Sequence, residues 1–202
     1  MTDVNDRRGE LRTLPVAPPG TRFGYNDVRV NRLALSLLCV FGRPLPEVLR
    51  ESVMNPIDAS HTWSWHGYRN SSVVIGGRQV ESVSGGAHWG GGFWTNAYDL
   101  ARLGLLFSRG GTWNGRRILS EEWIRMSTTP STVNPGYGFL WWLNTSGRFG
   151  AKLPKSAYTM AGGGGFYCLV DPEHDLVVVL QNLGEPTQRP AGFFDRLMDA
   201  VQ

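Results

Sequence analysis

The sequence predicts an α+β protein, an antiparallel sheet with a C-terminal helix packed on it and a helical subdomain ahead of it. Three observations carry this. The last third holds strand-like apolar runs, among them Phe166 to Val170 and Leu176 to Leu180, separated by the turn Asp171 to Asp175. The closing segment, Gly192 to Val201, sets Phe193, Phe194, Leu197, Met198 and Val201 at helical spacing. Two apolar patterns of helical period follow one another before residue 55. Consecutive antiparallel strands closed by a terminal helix pack as helices on a sheet.

Residues 1–19 are polar and then proline-punctuated, an extended lead-in without a core of its own. Residues 20–202 read as a single domain. A helix is expected from Asn26 or Asp27 to Phe41, with Val28, Leu35, Leu38 and Phe41 near one face and Leu33, Ala34 and Leu37 widening it. Asn26 and Asp27 both suit its N-cap, and Gly42 with Pro44 stops it. A second helix spans Leu45 to Met54. Thr62 to Trp65 alternates as a short strand, and Gly76-Gly77 between β-branched runs signals a hairpin. The glycine-rich segment 84–92 holds His88 and Trp89. It lacks a phosphate-loop lysine and a strand–GxGxxG–helix setting. A helix from Ala97 to Ser108 follows, with Asn96 and Asp99 spaced as a capping box, and Ser120 caps another at Glu121 to Ser127. Tyr137 to Leu143 reads as one aromatic strand. Tyr158 to Ala161 leads through Gly162–Gly165 into Phe166 to Val170.

The composition excludes several classes. The net charge of +3 comes from scattered arginines, with Lys152 and Lys155 the only lysines. A nucleic-acid surface needs a concentrated basic stripe, so none is expected. Cys39 and Cys168 sit in apolar segments and make no disulfide framework. Four scattered histidines give no metal-ligand spacing, and neither metal nor cofactor is expected. No apolar run follows the N-terminal charges, and none reaches membrane-spanning length. The expected setting is the cytoplasm, with no membrane partner. Eight tryptophans and 26 glycines fit either an aromatic-lined small-molecule cleft or a Trp-rich core.

Five segments in one order then become informative together: PGTRFGYND, a glycine run with TNAYDLARLGLLF, NGRRILSEEW, NPGYGFLWWL, and the glycines before FYCLVDPEHDLVVVL. This series, from about Pro18 to Gln202, resembles the later part of the β-lactamase-like serine hydrolases. That family takes in class C β-lactamases, DD-peptidase-like enzymes, family VIII carboxylesterases and 6-aminohexanoate-oligomer hydrolases. The resemblance implies a β-lactamase/DD-peptidase-like fold and an acyl-enzyme reaction on small-molecule amide or ester substrates.

Such enzymes use a Ser-x-x-Lys turn, a Tyr-x-Asn element and a Lys-Thr-Gly-like strand. The second falls on Tyr25-Asn26-Asp27, which implies Tyr25 as general base. A phenol of ordinary pKa near 10 needs positive charge beside it for that work, and in the family the Ser-x-x-Lys lysine supplies it. Asp27 takes the usual Asn place. A carboxylate cannot donate as an amide does, which disfavours β-lactam recognition and suits a cationic or amine-bearing substrate. The third element falls on Gly162, Gly163 and Gly164, where the Gly163 N–H would help hold an oxyanion. His88 would line the cleft. The bland alternatives are a packing role for Tyr25, a bend at the glycines, and a structural His88 like His61, His66 and His174.

No serine in the chain is followed three positions later by lysine, and only 24 residues precede Tyr25. The resemblance therefore implies a C-terminal part of such a hydrolase, lacking the nucleophile segment and inactive alone. A non-catalytic remnant or binding module of the same fold is the alternative, and a Trp-rich carbohydrate-binding β domain conflicts with the well-capped helices. Substrate identity and oligomeric state are not written in the sequence.

Overall fold

The computed structural model describes residues 17–25, 27–67, 71–81, 92–181 and 190–201, apart from the side chains of Asp27 and Val28. Most of the 1–19 lead-in, Asn26, and the loop with His88 and Trp89 lie outside these residues. The chain divides into two compact units, Met1–Asn96 and Ala97–Gln202.

In the first unit, helix α1 (Asp27–Phe41) packs on α2 (Leu45–Leu49), and α2 runs on into a π-helical turn at Arg50–Met54. The expected uniform helix to Met54 thus changes pitch, with the Asn55 N–H reaching the Arg50 carbonyl at 2.8 Å. Met54 and Ile57, at and after this turn, are fully buried. The broad apolar face expected of α1 is split. Leu38 is fully buried and Asn31 nearly so, while Leu33, Leu37 and Phe41 stand well exposed.

Strand β1 (Ser64–Trp65) pairs antiparallel with β4 (Phe93–Trp94), and β2 (Ser72–Ile75) with β3 (Arg78–Glu81). The expected strand from Thr62 is shorter because Ser60 and Thr62 close a local turn. The Thr62 N–H donates to Ser60 Oγ at 3.3 Å, and the two hydroxyls lie 2.7 Å apart. The Asn96 amide donates to both hydroxyl oxygens at 3.1 Å. The β2–β3 turn is the expected Gly76-Gly77 pair, both at positive φ. Buried Trp63 lies between the Phe93 ring, 5.6 Å away, and the Arg50 guanidinium, 4.5 Å from its centroid.

The second unit holds helix α3 (Ala97–Ser108), the small hairpin β5–β6 (Thr112–Trp113, Arg116–Arg117) and α4 (Glu121–Ser127). Ser120 caps α4 as expected, its Oγ accepting from the Trp123 N–H at 3.1 Å. Strands β7 (Trp142–Leu143), β8 (Tyr158–Gly162), β9 (Phe166–Asp171) and β10 (Leu176–Leu180) form an antiparallel sheet of order β10-β9-β8-β7. Helix α5 (Ala191–Val201) closes the unit.

Two-residue alternation sends side chains of this sheet to two opposite layers. On one, Val170 and Tyr158 pack with Trp141 and Leu143, and α3 lies against β9 and β10. Gly104 makes that approach possible. A methyl at its Cα would sit 2.7 Å from Val177 Cγ1 and 2.8 Å from Cys168 Sγ. On the other, Leu169 packs with Phe149, Leu153, Phe194 and Met198, so α5 covers this face. Each such fully buried large side chain contributes about 1.5–3 kcal/mol.

The aromatic segment is not one strand. Only Trp142 and Leu143 join the sheet. The chain reverses ahead of them, with Tyr137 bridged to Trp142, Gly138 N–H on the Trp141 carbonyl at 2.9 Å and Leu140 at φ 63°. The Phe139 N–H bonds the Ser127 carbonyl at 2.8 Å instead of a strand neighbour. Beyond β7, the loop to β8 is folded about one fully buried amide. Asn144 Nδ2 donates to the carbonyls of Gly150, Leu153 and Pro154 at 3.1–3.2 Å, and its Oδ1 accepts from the Phe149 N–H at 2.9 Å. Asn144→Ala strands these groups, and we expect a loss of about 3 kcal/mol of stability, read as a lower urea midpoint with the slope unchanged.

Candidate functional site

The expected site residues fall in both units, and His88 lies outside the described residues. In the first unit, Tyr25 stands at the mouth of α1, 54% exposed, and Asp27 is the first helical residue. One turn on from Asp27, Asn31 is buried and its Nδ2 has no hydrogen-bond partner among the described residues.

Sequence reasoning set His66 aside as surface or structural. The structure places the Ser64 hydroxyl 2.8 Å from His66 Nε2 and sets the imidazole against the Trp94 ring at a tilt of 49°, ring centroids 4.7 Å apart. The signal was the i, i+2 spacing of Ser64 and His66, which in extended chain puts both on one face, here at the end of β1. His174, also set aside, bonds through Nδ1 to the fully buried Asp171 carboxylate at 2.7 Å, and that carboxylate also accepts from the Glu173 N–H at 3.0 Å. This pair fastens the β9–β10 turn.

In the second unit the glycine run is a hairpin turn, which corrects the expectation of a continuing strand. Gly162, the last residue of β8, pairs with Phe166, and Gly163–Gly165 reverse the chain. The four glycines differ in what they require. Gly164 and Gly165 take φ 82° and 79°, and a methyl on Gly164 would come within 3.1 Å of the Phe166 ring. Gly163 has nothing within 4 Å of a Cβ position and no positive φ.

The sheet also leaves part of β8 open. β7 pairs only with Tyr158 and Thr159, so on that side Met160–Gly162 have no strand neighbour among the described residues. The Asn144 N–H bonds the Ala157 carbonyl at 2.8 Å. Antiparallel bonding alternates residue by residue, so from Ala157 and Thr159 the next backbone N–H and C=O aimed at that open side belong to Ala161. The glycine turn adjoins this edge, and its Gly163 N–H lies one residue beyond β8.

Burial removes two other groups from proton transfer. The Cys168 thiol is pushed up from its ordinary 9 to about 12 by desolvation, and the Tyr158 phenol is raised still further, by burial first and Cys168 second. Both stay protonated at neutral pH. The unfolded thiol ionises from about pH 9 while the folded one does not, so stability present below pH 9 declines as pH rises toward 12. We expect unfolding midpoints to fall over that window and Cys168→Ala to flatten the fall. Gly164→Ala is expected to cost about 1–2 kcal/mol for a positive φ, whereas Gly163→Ala stays within about 0.5 kcal/mol of the parent, both read by urea titration.

Comparison with known proteins identifies the family and the fold. A protein of Escherichia coli O157:H7, provisionally named a D-alanyl-D-alanine carboxypeptidase, is 24% identical over 87% of this chain and 49% of its own length. The chain spans about half the length of the curated relatives it matches. A β-lactamase structure from Mycobacterium bovis is similar with a TM-score of 0.70 at 20% identity, over 93% of this chain and 66% of that one. A structure from Bacillus anthracis, provisionally named a 6-aminohexanoate-dimer hydrolase, gives 0.64 at 22% identity, over 93% and 46%. These structures share the expected β-lactamase/DD-peptidase-like fold. The β-lactamase family model matches residues 3–197, nearly the whole sequence, and the chain therefore belongs to the β-lactamase family.

Proposed function

We propose that this chain is the C-terminal part of a serine hydrolase that cleaves small-molecule amide or ester bonds through an acyl-enzyme. The observation that carries the reading is the family match over residues 3–197. The relatives' names, a carboxypeptidase and a dimer hydrolase among them, favour amide bonds. The open edge of β8 at Ala161 supports it, since an extended substrate can pair there through its own backbone.

In this reading the nucleophilic serine and its lysine come from a Ser-x-x-Lys segment outside these 202 residues. The serine oxygen attacks the carbonyl carbon and its proton passes to Tyr25 as phenolate. The Gly163 N–H holds the negative oxygen of the tetrahedral intermediate. The leaving amine or alcohol then takes the proton, and water hydrolyses the acyl-serine by the reverse relay. Asp27, in place of the family's amide, selects a cationic or amine-bearing group. By itself the chain has no nucleophile of the family type and does not turn over. A non-catalytic remnant is the second reading, and the missing Ser-x-x-Lys is the observation that favours it.

A fluorophosphonate probe and a chromogenic short-chain ester separate the two. We expect neither labelling nor turnover with the 202-residue chain. Fused behind the part of the Escherichia coli relative that it does not match, it should label at the Ser-x-x-Lys serine. Tyr25→Phe should then lower kcat about 10²–10⁴-fold. Labelling of a serine within this chain, abolished by its change to alanine, would overturn the incomplete-site reading. A fusion that folds yet never labels leaves the remnant.

A further inference from the structure

The β1–β4 ribbon has two unlike faces. On the inner one, Trp63 is buried and packs on the Phe93 ring. On the outer one, the cross-strand pair of Ser64 and Trp94 leaves the indole of Trp94 64% exposed. A lone exposed tryptophan carries no meaning by itself. What singles out this one is the set of polar side chains held beside it. The His66 imidazole stands against the indole at 49°, ring centroids 4.7 Å apart, and its Nε2 is fixed by the Ser64 hydroxyl at 2.8 Å. The His66 N–H bonds the Gly92 carbonyl at 2.8 Å, so its backbone is held as well. At the other end of the ribbon, the Asn96 amide donates to the Thr62 and Ser60 hydroxyls at 3.1 Å.

We propose that the outer face of the β1–β4 ribbon binds a neutral saccharide, one pyranose ring lying on the Trp94 indole with its hydroxyls bonded to Ser64 and His66. The chemistry of the side chains chooses this ligand. Ser60, Thr62, Ser64, His66 and Asn96 include no acid, arginine or lysine, and each both donates and accepts hydrogen bonds. An anion finds no fixed positive charge among them, and a wholly apolar ligand would strand them without water. A sugar ring suits both parts. Its C–H face is apolar and flat enough to lie on an indole, and the hydroxyls at its edge donate and accept. The Thr62–Asn96 pair continues the polar edge for a second ring. Because these side chains already hold one another, little rotamer freedom is lost on binding. The site uses no nucleophile and stands or falls independently of the proposed hydrolase.

The test is titration of the 202-residue chain with cellotriose, maltotriose and triacetylchitotriose, followed by proton–nitrogen NMR correlation spectra. Loss of one indole signal in Trp94→Phe assigns Trp94. A saturable shift of that signal with at least one of the sugars is expected. Affinities in the variants are read from the backbone signals of Thr62–His66. Trp94→Ala should weaken binding about tenfold, and Ser64→Ala and His66→Ala about fivefold each. Trp94→Tyr, which keeps a flat ring, should retain most of the affinity, and unchanged far-UV circular dichroism in all variants shows that the fold is intact. No shift with any of the three sugars overturns the inference, and so does binding that Trp94→Ala leaves unaltered. A Trp94 signal that responds to tetramethylammonium and not to sugar overturns it too, since the indole would then serve a cation.

Discussion

The contact between Gly104 and the β9–β10 pair governs the second unit. With no side chain there, α3 lies close enough for Cys168 Sγ to reach the Leu100 carbonyl at 3.5 Å. That closeness buries the thiol, and the Tyr158 phenol, raised first by its own burial, is raised further by Cys168. It also holds one face of β9 and β10 while α5 holds the other, so the hydrogen-bonded middle of the sheet is shut off from water. The exposed end of β8 and its glycine turn thereby extend from a closely packed base.

The opposite side of the same sheet is fastened by polar means as well. The loop gathered on Asn144 is tied to α5 through Asp195, which accepts from the Lys152 N–H at 2.9 Å, and through the Lys152–Asp199 ion pair. Both surface-lying charges are exposed, so the pair itself adds little stability. The buried amide does more, because every one of its polar atoms is used and none can be regained from water without opening the loop.

Much of this was legible in the residues. Helical period located α1, α3 and α5, and Ser120 and Gly76-Gly77 marked a cap and a turn that the structure contains. The Asn114-Gly115 turn between β5 and β6 carries an Asn-Gly hairpin signal that went unread in the sequence, and its residues have φ 46° and 75°. What could not be read depended on partners distant in sequence. Tyr137–Leu143 has the composition of a strand, but the Ser127 carbonyl captures the Phe139 N–H and the chain turns. The division of α1 into a covered and an uncovered stripe is a matter of what packs on it, which periodicity does not record. Around the residues proposed for the site, the reversal at Gly163–Gly165 and the Ser64–His66 contact required the fold.

The glycine turn tolerates substitution unevenly. Its second half is dictated by the backbone, because Gly164 and Gly165 occupy conformations that other residues reach only under strain. Its first half is under no such demand, since Gly163 faces empty space. A side chain added at Gly163 therefore leaves the hairpin unstrained, whereas one at Gly164 or Gly165 forces a left-handed backbone on a residue that resists it. One end of the turn is thus free to change in sequence while the other end is held by its backbone.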